Sequence, residues 1–233
     1  MFAVLLGLAV GVAALPGAAL AQENTWEGMM KAATKSLQQN DYAGAETHLR
    51  AALAIAERFD TTDPRLGRTL SNLAYIYRLE GRLTLAEPLY RRTLVLWETM
   101  LGPNHLDVAT ALNNLAGLYH LLGQYDAAEA GFLRSLAIRQ KTLGAHHPDV
   151  ATSLYYLSRL YRAQKRPQEA GEFLERSVAI WESILGPANV KVASNLYDLA
   201  RLYRAQSRFD EAERIEGRIR AIWAYRAQHP RNN

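Results

Sequence analysis

Arg78, Arg162 and Arg204 stand at multiples of one interval, and the hexapeptide RLYRAQ occurs twice, at residues 159–164 and 201–206. Guanidinium forks grip carboxylates and phosphates through paired N–H···O bonds, and tyrosines beside them add flat apolar area with a polar tip. This is the chemistry of binding an anion. The residues for other chemistry are missing or badly spaced. With no cysteine there is no thiolate nucleophile, disulfide framework or cysteine zinc site. No G-x-S-x-G, H-E-x-x-H or phosphate loop occurs. His105, His146 and His147 fall at expected loops and helix starts, and none of the six histidines forms an i, i+4 pair. The expectation is a protein with no catalytic residue, metal or cofactor.

The elements that must position the arginines repeat. Gly102, Gly144 and Gly186 each follow a leucine and lie 42 residues apart, as do Leu115, Leu157 and Leu199, and Tyr119, Tyr161 and Tyr203. One step earlier fall Leu73, Tyr77 and Gly81, while Tyr42, Ala45 and Glu46 precede Leu83, Ala86 and Glu87 by 41. Five copies result. A fixed period of this size marks a solenoid, in which no unit buries its apolar face alone. Inside a copy, Val108, Leu112, Leu115 and Tyr119 follow helical spacing, and Ala128, Phe132 and Leu136 resume it after Gly123. Each copy therefore reads as helix, glycine turn, helix.

Leu115-Ala116, Tyr119, Gly123, Ala128 and Phe132 form a pattern that resembles the tetratricopeptide repeat, and the 42-residue period with LGPNH, LNNLA and YDAAE is similar to the kinesin-light-chain subtype. The resemblance implies an all-α, right-handed solenoid of five helix-turn-helix repeats, about residues 22–58, 59–100, 101–142, 143–184 and 185–226, ahead of a polar tail at 227–233. It also implies that the first helices line a concave face. Counted in register from the repeat leucine, that face would carry Arg68, Tyr75 and Arg78, then Asn113 and His120, then Tyr155, Arg159 and Arg162, then Tyr197, Arg201 and Arg204. Six arginines and three tyrosines would share it, with Asp198 and Glu169 as possible pairing partners. His120 would modulate anion binding through its charge near neutral pH. Tyr77, Tyr119, Tyr161 and Tyr203 belong to the core by register, and the recurrence of Trp97, Trp181 and Trp223 argues for packing. Glu216, where earlier copies carry Leu49, Tyr90, Phe132 and Leu174, argues that no sixth repeat follows.

Residues 1–21 carry no charged side chain, and Ala19-Leu20-Ala21 fits a signal-peptidase site with a cut between Ala21 and Gln22. An uncleaved membrane anchor is the rival reading, although Pro16 and the glycines favour a removed signal and no stable membrane insertion. The net charge is +4 with a pI of about 9.3, a mild basicity. Together these suggest an exported, periplasmic or secreted scaffold without catalytic function, whose basic groove recognises an acidic peptide or protein segment rather than specific nucleic acid. The alternatives are a binder of polyanions or of the envelope surface, taking glycan or anionic lipid, and a self-assembling element.

Overall fold

The computed structural model describes residues 17–60 and 62–229. All ten regular elements described are helices: α1 Gly17–Gln38, α2 Tyr42–Ala56, α3 Pro64–Leu79, α4 Leu83–Leu101, α5 Leu106–Leu121, α6 Tyr125–Leu143, α7 Pro148–Ala163, α8 Pro167–Leu185, α9 Val190–Ala205 and α10 Phe209–Gln228. They form the five helix pairs that the period predicts. The signal reading rests mainly on residues 1–16, which lie outside the described residues, and α1 runs through the expected cut between Ala21 and Gln22. Helix α10 continues to Gln228, into the stretch expected to be a polar tail. Among the described residues, no helix is long and apolar enough to cross a membrane.

Local chemistry sets the helix boundaries. Asp63 accepts from the Arg65 amide with Pro64 in the first turn, His105 and His147 accept through Nδ1 from the amides of Asp107 and Asp149, and Asn189 accepts from Lys191. Each satisfies an amide that the first turn leaves without a partner. His105 and His147 are thus helix-start residues. Between the helices of a pair, a residue at positive φ reverses the chain. It is Gly81 or Gly123 in the second and third copies, but Asn40, Lys165 and Ser207, at φ of 58°, 58° and 59°, in the others. The turn is therefore not always a glycine turn. What persists is the bond that closes it, from the amides of Arg82, Gln124, Arg166 and Arg208 to the tyrosine carbonyls five residues back, at 2.8–2.9 Å.

The described residues divide into two compact units, the first ending at Gly102 and the second beginning at Pro103. In the first, α1 packs on α2, α2 on α3 and α3 on α4. The Trp26 indole donates to Thr69 Oγ1 at 3.0 Å, tying α1 to α3, and Gly67 makes room for the Trp97 ring. In the second unit, α5 to α10 pack consecutively and α5 also meets α7. Val150, Leu154, Leu157 and Leu160 of α7 and Leu196 of α9 are completely buried.

The repeat tyrosines join neighbouring copies by more than apolar contact. The Tyr77 hydroxyl donates to Glu46 at 3.0 Å, with Arg82 also bonding Glu46 and lying 4.4 Å over the tyrosine ring. In the second unit Tyr161 donates to Glu129 at 2.8 Å beneath Arg166, and Tyr203 donates to Glu175 beneath Arg208. A glutamate from one copy thus receives the tyrosine of the next. The expected burial of Tyr77, Tyr119, Tyr161 and Tyr203 holds at 4–7% exposure.

The tryptophan expectation holds only in part. Trp97 and Trp181 are 7% and 8% exposed, whereas Trp223, on the last described helix, is 52% exposed. The third copy departs further, because Arg139 occupies that register and is itself only 8% exposed.

Candidate functional site

Tyr155, Ser158, Arg159 and Arg162 of α7 line a shallow cleft with Leu174 of α8 and Asp198 and Leu202 of α9. Helical spacing produces this set. Tyr155, Arg159 and Arg162 fall at i, i+4 and i+7 on one face of α7, while Leu154 and Leu157 turn into the core. Leu174 and Leu202 supply an apolar floor. Arg159 and Arg162 are exposed and make no ion pair among the described residues. The Tyr155 hydroxyl is half-buried and donates to Asp198 Oδ2 at 2.9 Å. Burial raises its pKa, and the hydrogen bond to Asp198 adds to that.

Helix α5 contributes two polar groups without partners. His120 Nδ1 and Asn113 Oδ1 are buried and make no hydrogen bond. Burial pushes His120 below its ordinary pKa of 6.5, and the charges of Arg159 and Arg162 push in the same direction. The shift, led by burial, favours the neutral ring and so weighs against the expected modulation of anion binding by its charge near neutral pH.

At the C-terminal end of the unit the predicted residues are less alike than their register suggested. Arg201 lies 5.9 Å from the ring of Tyr197, which is exposed, and forms no ion pair among the described residues. Arg204 is different. Its Nε and a terminal nitrogen donate to the two Glu216 oxygens at 2.6 and 2.8 Å. This bidentate pair removes Arg204 from the expected set of free anion contacts, because the acid that meets it comes from α10, across the turn. Glu169 does not reach the face either, since it pairs with Arg166. Asp198, the other expected pairing partner, does enter, but it meets Tyr155 rather than an arginine.

The first unit places Arg68, Tyr75 and Arg78 on α3, with the Arg78 guanidinium 5.0 Å over the Tyr75 ring. Arg78 also acts on the buried Tyr90 hydroxyl, which burial nonetheless pushes up to about 12. Tyr75 lines a cleft between α1, α2 and α3. This cleft is the repeat counterpart of the one on α7. Leu49 and Ile76 stand where Leu174 and Leu202 do, and Asn72 stands where Asp198 does. The walls differ: Met30, Thr34 and Leu37 replace Tyr155, Arg159 and Arg162. One inter-repeat hollow is thus apolar in the first unit and cationic in the second. The signal for both lay in the sequence, but only cleft-lining side chains distinguish a wall from a solvated helix face. Among the described residues, no group of three or more metal-binding side chains gathers.

Helix pairs that stack by repetition and present the first helices' polar residues define a helical-repeat scaffold. The tetratricopeptide repeat profile matches residues 29–98, 65–130, 107–179 and 160–224. The chain belongs to the tetratricopeptide repeat family and is of the kinesin-light-chain-like type. The nearly identical repeats of a Podosopora anserina kinesin-light-chain-type structure are 28% identical, with a TM-score of 0.74 over 85% of this chain and 95% of that one. BtubC (BKLC) from P. vanneervenii is 24% identical, with a TM-score of 0.76 over 88% and 89% of the two chains, and shares the fold. PilF of Pseudomonas aeruginosa, 20% identical, gives a TM-score of 0.63 over 86% and 78%. Comparison with curated proteins yields no match. A tetratricopeptide scaffold implies a protein partner.

Proposed function

We propose that this chain is an exported, non-catalytic scaffold whose second unit binds an acidic protein segment along α7 and α9. One contrast carries the reading. Arg166, Arg204 and Arg208 are each ion-paired within the unit, whereas Arg159, Arg162 and Arg201 have no such partner among the described residues. Like charges held together on a folded face repel, and an incoming carboxylate relieves that repulsion. Tyr155 and Tyr197 give the site shape, whereas the Asn113 Oδ1 acceptor is enclosed and not open to a ligand. Export is supported by the uncharged run of residues 1–21 and its Ala-Leu-Ala end. The mass of the protein recovered from a periplasmic fraction tests it, since a chain retaining residue 1 would refute cleavage.

A fluorescein-labelled decapeptide of alternating alanine and glutamate tests the groove. Its affinity should fall about tenfold or more in Arg159→Glu/Arg162→Glu, in line with the loss of close charge pairs at an interface, with helicity unchanged. Equal binding by the two proteins refutes the reading. A general polyanion binder would instead be indifferent to peptide residue order and lose affinity steeply with salt.

A further inference from the structure

Asp198 has no role in an arginine groove taken as a simple anion trap, since it places a carboxylate where anions should go. It is held there. Tyr155 donates to Asp198 Oδ2 at 2.9 Å, across from α7 to α9, and both residues line the cleft formed by Arg159 and Arg162. The cleft therefore contains two fixed positive charges and one fixed negative charge, above the apolar floor of Leu174 and Leu202. Counted over the side chains that line the cleft, among which Arg201 is not found, the balance is one net positive charge. In the first unit the corresponding hollow has Asn72 in place of Asp198 and no arginine on its walls, so the acid and the arginines occur together.

We propose that Asp198 is a specificity-determining residue that sets this cleft to accept a singly charged carboxylate and to reject a doubly charged phosphoryl group. The inference rests on the acidic-segment reading and adds which anion that segment presents. A glutamate or aspartate side chain neutralises the cleft. A phosphorylated residue carries about −1.5 to −2 charges at neutral pH and leaves an excess negative charge beside the Asp198 carboxylate. Two arginines alone would rank the ligands the other way, because guanidinium forks suit phosphate well and attract the larger charge more. Specificity here arises from the repulsive element.

The experiment uses the full chain and two labelled hexapeptides that differ only at a central residue, glutamate in one and phosphoserine in the other, read by fluorescence anisotropy. The unaltered protein should bind the glutamate peptide at least as tightly as the phosphopeptide. Asp198→Asn keeps an oxygen for the Tyr155 hydroxyl but removes the charge. It should shift the affinity ratio about tenfold toward phosphoserine, the size expected for one charge pair a few ångströms apart in a partly solvated cleft. Tyr155→Phe, which keeps the charge and loses only its tether, should leave most of the glutamate preference. An unchanged ratio in Asp198→Asn, together with binding that collapses in Arg159→Glu/Arg162→Glu, overturns the role of Asp198 and leaves the groove standing. Absence of binding by either peptide, or binding indifferent to the arginine reversal, overturns both.

Discussion

Arg139 sits where Trp97 and Trp181 stand in neighbouring copies, and replacing it with methionine should make the protein more stable. The side chain is 8% exposed. Its terminal nitrogen donates to Ser153 Oγ at 2.8 Å and to the Asp149 carbonyl at 3.3 Å, and no carboxylate pairs with it among the described residues. Burial holds its proton affinity below the ordinary value, against the opposing charges of Asp149 and Tyr156, so the fold disfavours the cation relative to water. Deleting the guanidinium leaves nothing stranded, because Ser153 Oγ already donates to the Asp149 carbonyl at 3.1 Å. Methionine is unbranched, fills the channel of the arginine stem and carries no charge. Exchanging buried ionic groups for apolar ones of similar volume is often neutral or stabilising by about 1–4 kcal/mol, and losing two charged hydrogen bonds takes back part of that. A net gain of about 1–2 kcal/mol is expected, which raises the melting temperature by about 2–8 °C for a chain of this size. Urea unfolding followed by far-ultraviolet circular dichroism, with tryptophan fluorescence as a second probe, measures it. Destabilisation by more than about 1 kcal/mol would show that the guanidinium bridge between α6 and α7 outweighs its own desolvation, and the reasoning would fail.

Other substitutions test the packing and the turns. A Cβ on Gly67 would lie 2.6 Å from Trp97 Cζ2, so Gly67→Ala should destabilise by about 1–3 kcal/mol, with a shift in the emission of Trp97. Lys165 and Ser207 hold φ of 58° and 59° where the second and third copies use glycine, so Lys165→Gly and Ser207→Gly should each be neutral to stabilising by up to about 1 kcal/mol. A clear loss at both would show that their side chains hold the turn. Burial, reinforced by hydrogen bonds to Glu129 and Glu175, pushes Tyr161 and Tyr203 up to about 12 from an ordinary value of 10. Their stabilisation is complete below pH 10 and is lost as pH rises toward 12. Tyrosinate absorbance should therefore show late-titrating tyrosines, and Tyr161→Phe should flatten the fall in stability over that window.

The period and the helical spacing of apolar residues were enough to place five helix pairs and the buried tyrosines, because these features are local and each repeat restates them. The same register marked the arginine face. It did not predict which arginines are already satisfied. Arg204 meets Glu216 twelve residues on, Tyr155 meets Asp198 forty-three residues on, and two guanidinium groups of α7 act on His120 of α5. Such pairings depend on the distance between side-chain tips on different helices, which neither composition nor spacing encodes. The same holds for Arg139, whose register is that of a tryptophan and whose burial follows from the packing of α6 against α7. Sequence alone therefore determined the repeating backbone and the kinds of residue displayed on it. Tertiary packing decided their electrostatic state, because charges pair, desolvate or stay free according to neighbours that the period brings close only once the helices are stacked.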